Sequence, residues 1–385
     1  MVPPRRCSAK SSRPWLAYGP PGQAFVTIDG AQNALATAMS QSPQPAQASA
    51  ALFAPSALRE ALSEADIRRV AQAFTGHTRV TASQWIGGGP SKCVYRLAAA
   101  PGDRTLSIIS PWIIRRYLRT SDDHDFELRF TDALRNHGVP VPRHYPTREG
   151  ADALLTELVG QRVWVTLHDF VRGKTIGRLR PRQREAAIVA LAKSHCAARA
   201  IPIAGTRIGG FRMLRRMEEE GDEYPVVVTP DPVVTDAMHR LREHARTARH
   251  TILTRSGGCE VLPIHGDFYQ ANLIYRGETL AAVLDFDECR RDQLFVDLGI
   301  AMECLQQHDA TAEFVALFRR IYEDVAPLPE RDFAFALVLI AFRQASGALS
   351  RSFPAARGWR KLGLARGCHA VRNAAPSCGS WALRW

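Results

Sequence analysis

The stretch Ile264–Leu298, IHGDFYQANLIYRGETLAAVLDFDECRRDQLFVDL, constrains this chain more than any other. Asp267 stands two residues after His265, and Asn272 follows Asp267 by five. An apolar, strand-like run, Leu280–Leu284, then ends in Asp285-Phe286-Asp287. Asp297 closes the stretch in front of a second apolar run. Moving a γ-phosphoryl group needs a positioner or base for the acceptor hydroxyl and one or two Mg²⁺ ions bridging the phosphates. Mg²⁺ is a hard ion held by one or two carboxylates plus phosphate oxygens. The residue types suit that chemistry, with Asp267 as base and Asn272 and Asp285 as metal ligands. The plainer reading takes the same residues as turn formers and helix caps. A lone His-Gly-Asp would favour the plainer reading; the ordered set does not.

His265-Gly266-Asp267, Asn272 and Asp285-Phe286-Asp287 together resemble the aminoglycoside phosphotransferase/choline kinase superfamily, nearest to its homoserine kinase type II and stress-response kinase A branches. The likeness covers about residues 60–310. It implies an α+β, two-lobed, protein-kinase-like fold with a small antiparallel-sheet N-lobe and an α-rich C-lobe. It implies ATP and Mg²⁺ as cofactors, with Asp267 catalytic and Asn272 and Asp285 on the metal. His265, Asp287 and Asp297 support them. Asp297 would anchor the loop by accepting backbone or imidazole hydrogen bonds. Asp287 either helps hold metal or stands behind it, which leaves a second Mg²⁺ open. The lobes are expected at residues 56–170 and 171–350.

Upstream, Trp85–Leu97 places three glycines between two apolar runs, which predicts a hairpin whose backbone can approach a ligand closely. No Gly-Lys-Ser/Thr closes it, so it is not a Walker A loop. Taken alone it reads as a β-turn. By resemblance it covers the ATP phosphates, with Gly87, Gly88, Gly89 and Ser91 in that loop. Leu106–Tyr117 comes next, split by Pro111. Kinase-like folds need a cation here, paired to a helix glutamate. The resemblance puts Arg115 in that role, with Glu127 of the helix Asp122–His137 as its partner. If the strand is instead Thr105–Ser110, Ser107 takes the cation's position. The bland alternative makes Arg115 and Glu127 solvated charges. Ala153–Leu158 and Arg162–Phe170 read as strands. They lead to Val171-Arg172-Gly173, a hinge in the resemblance, with the backbone at Leu167–Asp169 meeting adenine.

Leu58–Phe74 predicts a helix, with Ser63 and Asp66 capping its start or a break within it. Arg182–Ala200, Pro232–Ser256, Leu298–Leu305 and Phe333–Leu349 predict further helices, and His195 is read as structural. Met213–Asp222 is strongly charged and reads as a solvated face, or as an acidic segment near the acceptor.

The net charge of +12 raises the question of nucleic acid. Residues 1–55 carry +3 and residues 351–385 carry +7, leaving +2 for the body between them. A basic nucleic-acid surface is therefore not expected as the main function. The remaining hypothesis of that class is salt-dependent binding through the tails. The Pro-, Ala- and Ser-rich residues 1–55 predict a disordered leader or an upstream start codon. No acid follows Asp332, and residues 351–385 read as a frameshifted or disordered tail. Eight scattered cysteines without a Cys-x-x-Cys pair point to a reduced, cytoplasmic setting and to no zinc site. No run of about eighteen apolar residues predicts a membrane span. The resemblance implies a small-molecule acceptor bearing a hydroxyl: homoserine, an aminoglycoside or another amino alcohol. A protein Ser/Thr acceptor and a nucleotide-binding pseudokinase are the alternatives.

Overall fold

The computed structural model of the chain describes residues 55–75, 80–88, 92–100, 102–110, 112–113, 117–200, 232–306 and 311–352. The leader, Gly89, Ser91, Arg115, the charged segment 213–222 and residues 353–385 lie outside these described residues.

Helices α1 (Pro55–Ala61) and α2 (Glu64–Ala71) replace the single helix expected over 58–74. The break is chemical. Ser63 Oγ accepts the Asp66 N–H at 3.1 Å, and Asp66 accepts the Ser63 N–H at 3.2 Å, so a new helix starts there. Strands β1 (Val80–Gly87), β2 (Lys92–Ala99) and β3 (Arg104–Ile109) follow, then the two-residue pair β4 (Trp112–Ile113) and β5 (Tyr117–Leu118). The strand after the hairpin is thus the earlier of the two pieces split by Pro111. Helix α3 (Ser121–Asn136) starts where the Thr120 N–H donates to Asp123 at 2.8 Å, and ends at Gly138, whose φ is +74°. Strands β6 (His144–Tyr145), β7 (Leu154–Leu158) and β8 (Gln161–Asp169) complete an antiparallel sheet in the order β1-β2-β3-β8-β6, with β7 also on β8.

Strand alternation decides which face of this sheet is apolar. Cys93, Tyr95 and Leu97 of β2, Leu106 and Ile108 of β3, and Val163, Val165 and Leu167 of β8 form one buried cluster. Leu58, Ile67, Val70 and Phe74 from the α1–α2 segment cover it.

The second part is mostly helical: α4 (Pro181–Ala200), α5 (Pro232–Arg255), α6 (Leu294–Leu305), α7 (Ala312–Glu323) and α8 (Glu330–Ser352). Two short ladders sit among them. Strand β9 (Val261–Ile264) pairs antiparallel with β12 (Arg290–Gln293), and β10 (Leu273–Arg276) pairs with β11 (Thr279–Val283). A larger core joins these helices and ladders and takes in Phe126, Phe130 and Leu134 of α3. Helix α3 therefore links the sheet to the helical core. The segment after β8 is tied down as well: Lys174 and Tyr275 exchange backbone hydrogen bonds at 3.0 and 2.9 Å. Among the described residues, α8 is long and apolar enough to cross a bilayer. It packs on α5 and α6, with over half of that stretch buried in the core. This is the two-lobed, kinase-like α+β architecture.

Candidate active site

The two ladders set the site. Ile264 of β9 lies opposite Arg290 of β12, so the loop after β9 and the loop before β12 leave the same edge. The first loop is His265-Gly266-Asp267 and the second is Asp285-Phe286-Asp287. The β10–β11 hairpin closes the circuit, with Leu273 opposite Val283. The Leu284 N–H donates to the Asn272 carbonyl at 2.8 Å, which binds the residue before Asp285 to Asn272. Asn272 Nδ2 donates to the Asp267 carbonyl at 3.0 Å and lies 3.3 Å from its Oδ2. Asp267, Asn272 and Asp285 are thus brought together, with the Asn272 amide oxygen left for another partner.

His265 staples the two loops. Its Nδ1 accepts the Asp267 N–H at 3.2 Å, so Nε2 carries the proton donated to the Leu284 carbonyl at 3.0 Å. The ring packs on Phe286 at a centroid distance of 4.6 Å, and Phe286 meets Phe130 of α3 edge-on at 6.0 Å. Phe286 therefore carries the position of α3 to the loop that bears Asp267.

Asp297, at the start of α6, is fully buried behind them. Its two oxygens accept the His265 and Gly266 N–H groups, each at 2.7 Å. His195 of α4 places Nε2 3.2 Å from Asp297, and the Tyr322 hydroxyl of α7 lies 2.7 Å from His195 Nδ1. Burial alone would raise the Asp297 pKa. The His195 and His265 imidazoles and the Gly266 N–H outweigh it and hold the carboxyl below its ordinary range.

Gly266 adopts φ +81°, and a Cβ there would overlap the Glu288 carbonyl and the buried Arg290 guanidinium. Gly266→Ala is expected to destabilise the chain by more than about 1 kcal/mol, from the left-handed backbone and the clash together. Urea denaturation measures it, and an unchanged midpoint would mean the loop is not packed as described. Asp285 also has positive φ, +65°, an uncommon conformation for a residue other than glycine. Such outliers concentrate at functional sites.

Among the described residues two cations face the acids, and neither is among the residues expected from the sequence. Lys92, the first residue of β2, places Nζ 2.7 Å from Asp285 Oδ1 and 3.3 Å from Asp287 Oδ2. Burial would lower its pKa, but Asp287 and Asp285 outweigh burial and raise it. Arg119, almost wholly buried, pairs with Glu127 and lies 3.3 Å from Asp287 Oδ1. Glu127 therefore meets a cation among the described residues; Arg115, its expected partner, lies outside them. Ser107, the alternative occupant, lies on β3 in register with Val94 and Thr166. Lys92 had a readable signal, since it directly follows the glycine loop. Arg119 had one too, standing just before the capping Thr120.

Of the loop glycines, Gly87 and Gly88 are described, with φ +150° and +140°. Leu167 is buried in the sheet, in register with Leu106 on one side and Tyr145 on the other. The Asp169 N–H donates to the Arg143 carbonyl at 2.9 Å, and its carboxylate accepts the Tyr145 hydroxyl at 2.8 Å. Of the backbone that the resemblance assigns to adenine, the Asp169 N–H is thus taken within the chain.

Asp267 is surrounded by mixed chemistry. Burial, with Asp285, pushes its carboxyl above the ordinary range; His265, the Asn272 amide and Arg343 oppose the shift. Arg343 of α8 pairs with the buried Glu303 of α6. Tyr269 and Cys304 are also within electrostatic reach of Asp267. Burial pushes the Cys304 thiol up to about 12, which keeps it protonated and unsuited to act as base.

The donors fit Mg²⁺ in type: two carboxylates, Asp285 and Asp287, and an amide oxygen, Asn272. Among the described residues no cluster of three acids, imidazoles or thiols forms a closed metal cage. An ion at this site would therefore need oxygens from elsewhere, as Mg²⁺ does when it binds with phosphates.

Comparison with known proteins bears on the fold and the family. Among solved structures, the fold is similar to amicoumacin kinase hAmiN, solved with AMP-PNP and Ca²⁺, with TM-score 0.60 and 14% identity over 85% of this chain and 96% of that one. It is similar also to a microcompartment-associated aminopropanol kinase, with TM-score 0.59 and 16% identity over 82% and 97%. A homoserine kinase from Methylobacillus flagellatus is 25% identical over 211 residues, covering 52% of this chain and 59% of that protein. The match thus spans less than two thirds of that relative. The pattern of the phosphotransferase enzyme family matches residues 86–334, well over half of the sequence. The match takes in the hairpin, Glu127 and the whole of the Asp267–Asp297 segment, and the chain belongs to the phosphotransferase enzyme family.

Proposed function

We propose that the chain transfers the γ-phosphoryl group of ATP, bound with Mg²⁺, to the hydroxyl of a small amino-bearing molecule. One observation carries the reading: the Asn272 side chain joins the candidate base Asp267, while its carbonyl accepts the Leu284 N–H beside Asp285. Asn272 and Asp285, with Asp287 adjacent, would hold Mg²⁺, which when bound bridges the phosphates and neutralises charge. Gly87 and Gly88 lie in the hairpin that would cover the phosphates, with Lys92 and Arg119 beside it as cations. Asp267 would orient the acceptor hydroxyl and take its proton. Its raised pKa suits a group that must both hold and release a proton.

The surroundings of Asp267 narrow the acceptor. Arg343, paired with the buried Glu303, places positive charge within electrostatic reach of Asp267, which would repel a polycation. Positive charge near the candidate base favours an amino alcohol or a hydroxy amino acid over a polycationic aminoglycoside. The homoserine kinase relative supports the same choice. The test is ADP release from ATP across a panel of amino alcohols, hydroxy amino acids and aminoglycosides, with Mg²⁺ and again with EDTA. Acceptor-dependent ADP release that EDTA abolishes is the expected result. ADP release independent of every acceptor, or insensitive to EDTA, would overturn the reading.

A further inference from the structure

Lys92 joins the two parts of the molecule at their chemically most loaded point. It is the first residue of β2 and follows the glycine hairpin directly. Gly88 is what permits this: at φ +140°, a Cβ on it would overlap the Lys92 carbonyl and meet Cys93 Cα at 3.1 Å. The hairpin therefore folds back onto the start of β2. Cys93 points into the apolar cluster under the sheet, so its neighbour Lys92 must face the other way. Its ammonium lands between Asp285 and Asp287, across 193 residues of sequence. Less than a fifth of the side chain is exposed.

Asp285 and Asp287 are like charges two residues apart, and each is stabilised by a nearby cation. Arg119 also touches Asp287, but it is committed to Glu127 in a buried pair. Lys92 is the more adaptable of the two, a point charge with three donors on a flexible stem. A cation so placed competes with any metal ion for the same carboxylates. It also stands at the base of the loop that would cover the phosphates.

We propose that Lys92 is an exchangeable counter-ion: it occupies the Asp285–Asp287 pair in the nucleotide-free chain and moves onto the phosphates when nucleotide and metal arrive together. The inference rests on the kinase reading above. Lys92 then disfavours metal alone and favours metal bound to nucleotide, which couples the two binding events through one side chain.

The experiment compares the full chain with its Lys92→Met variant by two titrations. The first follows Mn²⁺ alone by the paramagnetic resonance of the free ion. The second follows AMP-PNP with Mg²⁺ by calorimetry. Removing the competitor is expected to tighten Mn²⁺ binding to the nucleotide-free chain by about tenfold or more, because the competent fraction of the site rises. The same substitution is expected to weaken AMP-PNP binding by about tenfold or more, because a charge-assisted contact is lost. Opposite signs in the two titrations are the signature. Lys92→Arg keeps the charge and is expected to behave like the parent chain towards Mn²⁺. Should Lys92→Met fail to fold, Lys92→Gln carries the same two expectations. Mn²⁺ affinity that is unchanged or weaker in the variant overturns the proposal. If the parent chain binds no AMP-PNP at all, the kinase reading fails and this proposal with it. If the parent binds AMP-PNP and the variant shows no gain for Mn²⁺, only this proposal falls.

Discussion

Asp267→Asn is expected to lower kcat by roughly 10²- to 10⁴-fold, the range for loss of a positioned general base. Affinity for AMP-PNP with Mg²⁺ is expected to stay near that of the parent chain. The amide is the same size as the carboxylate, and the Asn272 bond to the residue 267 carbonyl survives. The folded state should not suffer either. Burial and Asp285 both disfavour the charge on Asp267, so a neutral side chain removes a repulsion. Loss of turnover with binding and stability intact separates a reacting group from a packing group. A fall in kcat matched by a fall in nucleotide affinity would instead place Asp267 among the binding residues.

Asp297→Ala is expected to destabilise the chain by about 3–5 kcal/mol, the range for removing one partner of a buried charged network. Two backbone N–H groups, those of His265 and Gly266, lose their acceptor, and His195 Nε2 loses its carboxylate partner. Groups left buried and unpaired carry a full desolvation penalty. The effect should depend on pH with a definite sign. The Asp297 carboxyl sits below its ordinary range when folded. Its stabilisation is then fully present above the unfolded pKa, about 4, and is lost as the pH falls below that value. The gap in urea stability between Asp297→Ala and the parent is therefore expected to narrow at acid pH. A gap that stays constant would mean that the carboxylate's charge does not matter.

The site was legible where its parts are close in sequence. Asp267, Asn272 and Asp285 fall within one loop–hairpin–loop circuit, so their spacing already encodes their meeting. The same holds for Ser63 with Asp66, a local capping pair. The cations were not legible in the same way. Lys92 meets Asp285 across 193 residues and Arg119 meets Asp287 across 168. Such contacts depend on strand register, where a slip of one residue turns every side chain to the other face. Glu127 illustrates this: Arg119 pairs with it in the folded chain, while Arg115, to which the resemblance points, lies outside the described residues. The sheet bonds around Leu167 and Asp169 were hidden for the same reason, since β6 and β7 share one edge of β8.

Arg343 and Glu303 show a further limit. They lie on α8 and α6, and the packing of those two helices brings them together, with Arg343 within electrostatic reach of Asp267. A sequence read element by element offers no cue that these charges belong to the site.

Phosphorus NMR of the full chain with ATP, Mg²⁺ and an amino alcohol or hydroxy amino acid that supports ADP release tests the whole arrangement most directly. The account predicts a new phosphomonoester resonance that grows with ADP, and its near absence in Asp267→Asn. Inorganic phosphate as the sole product, or a phosphomonoester formed equally well by Asp267→Asn, would contradict it.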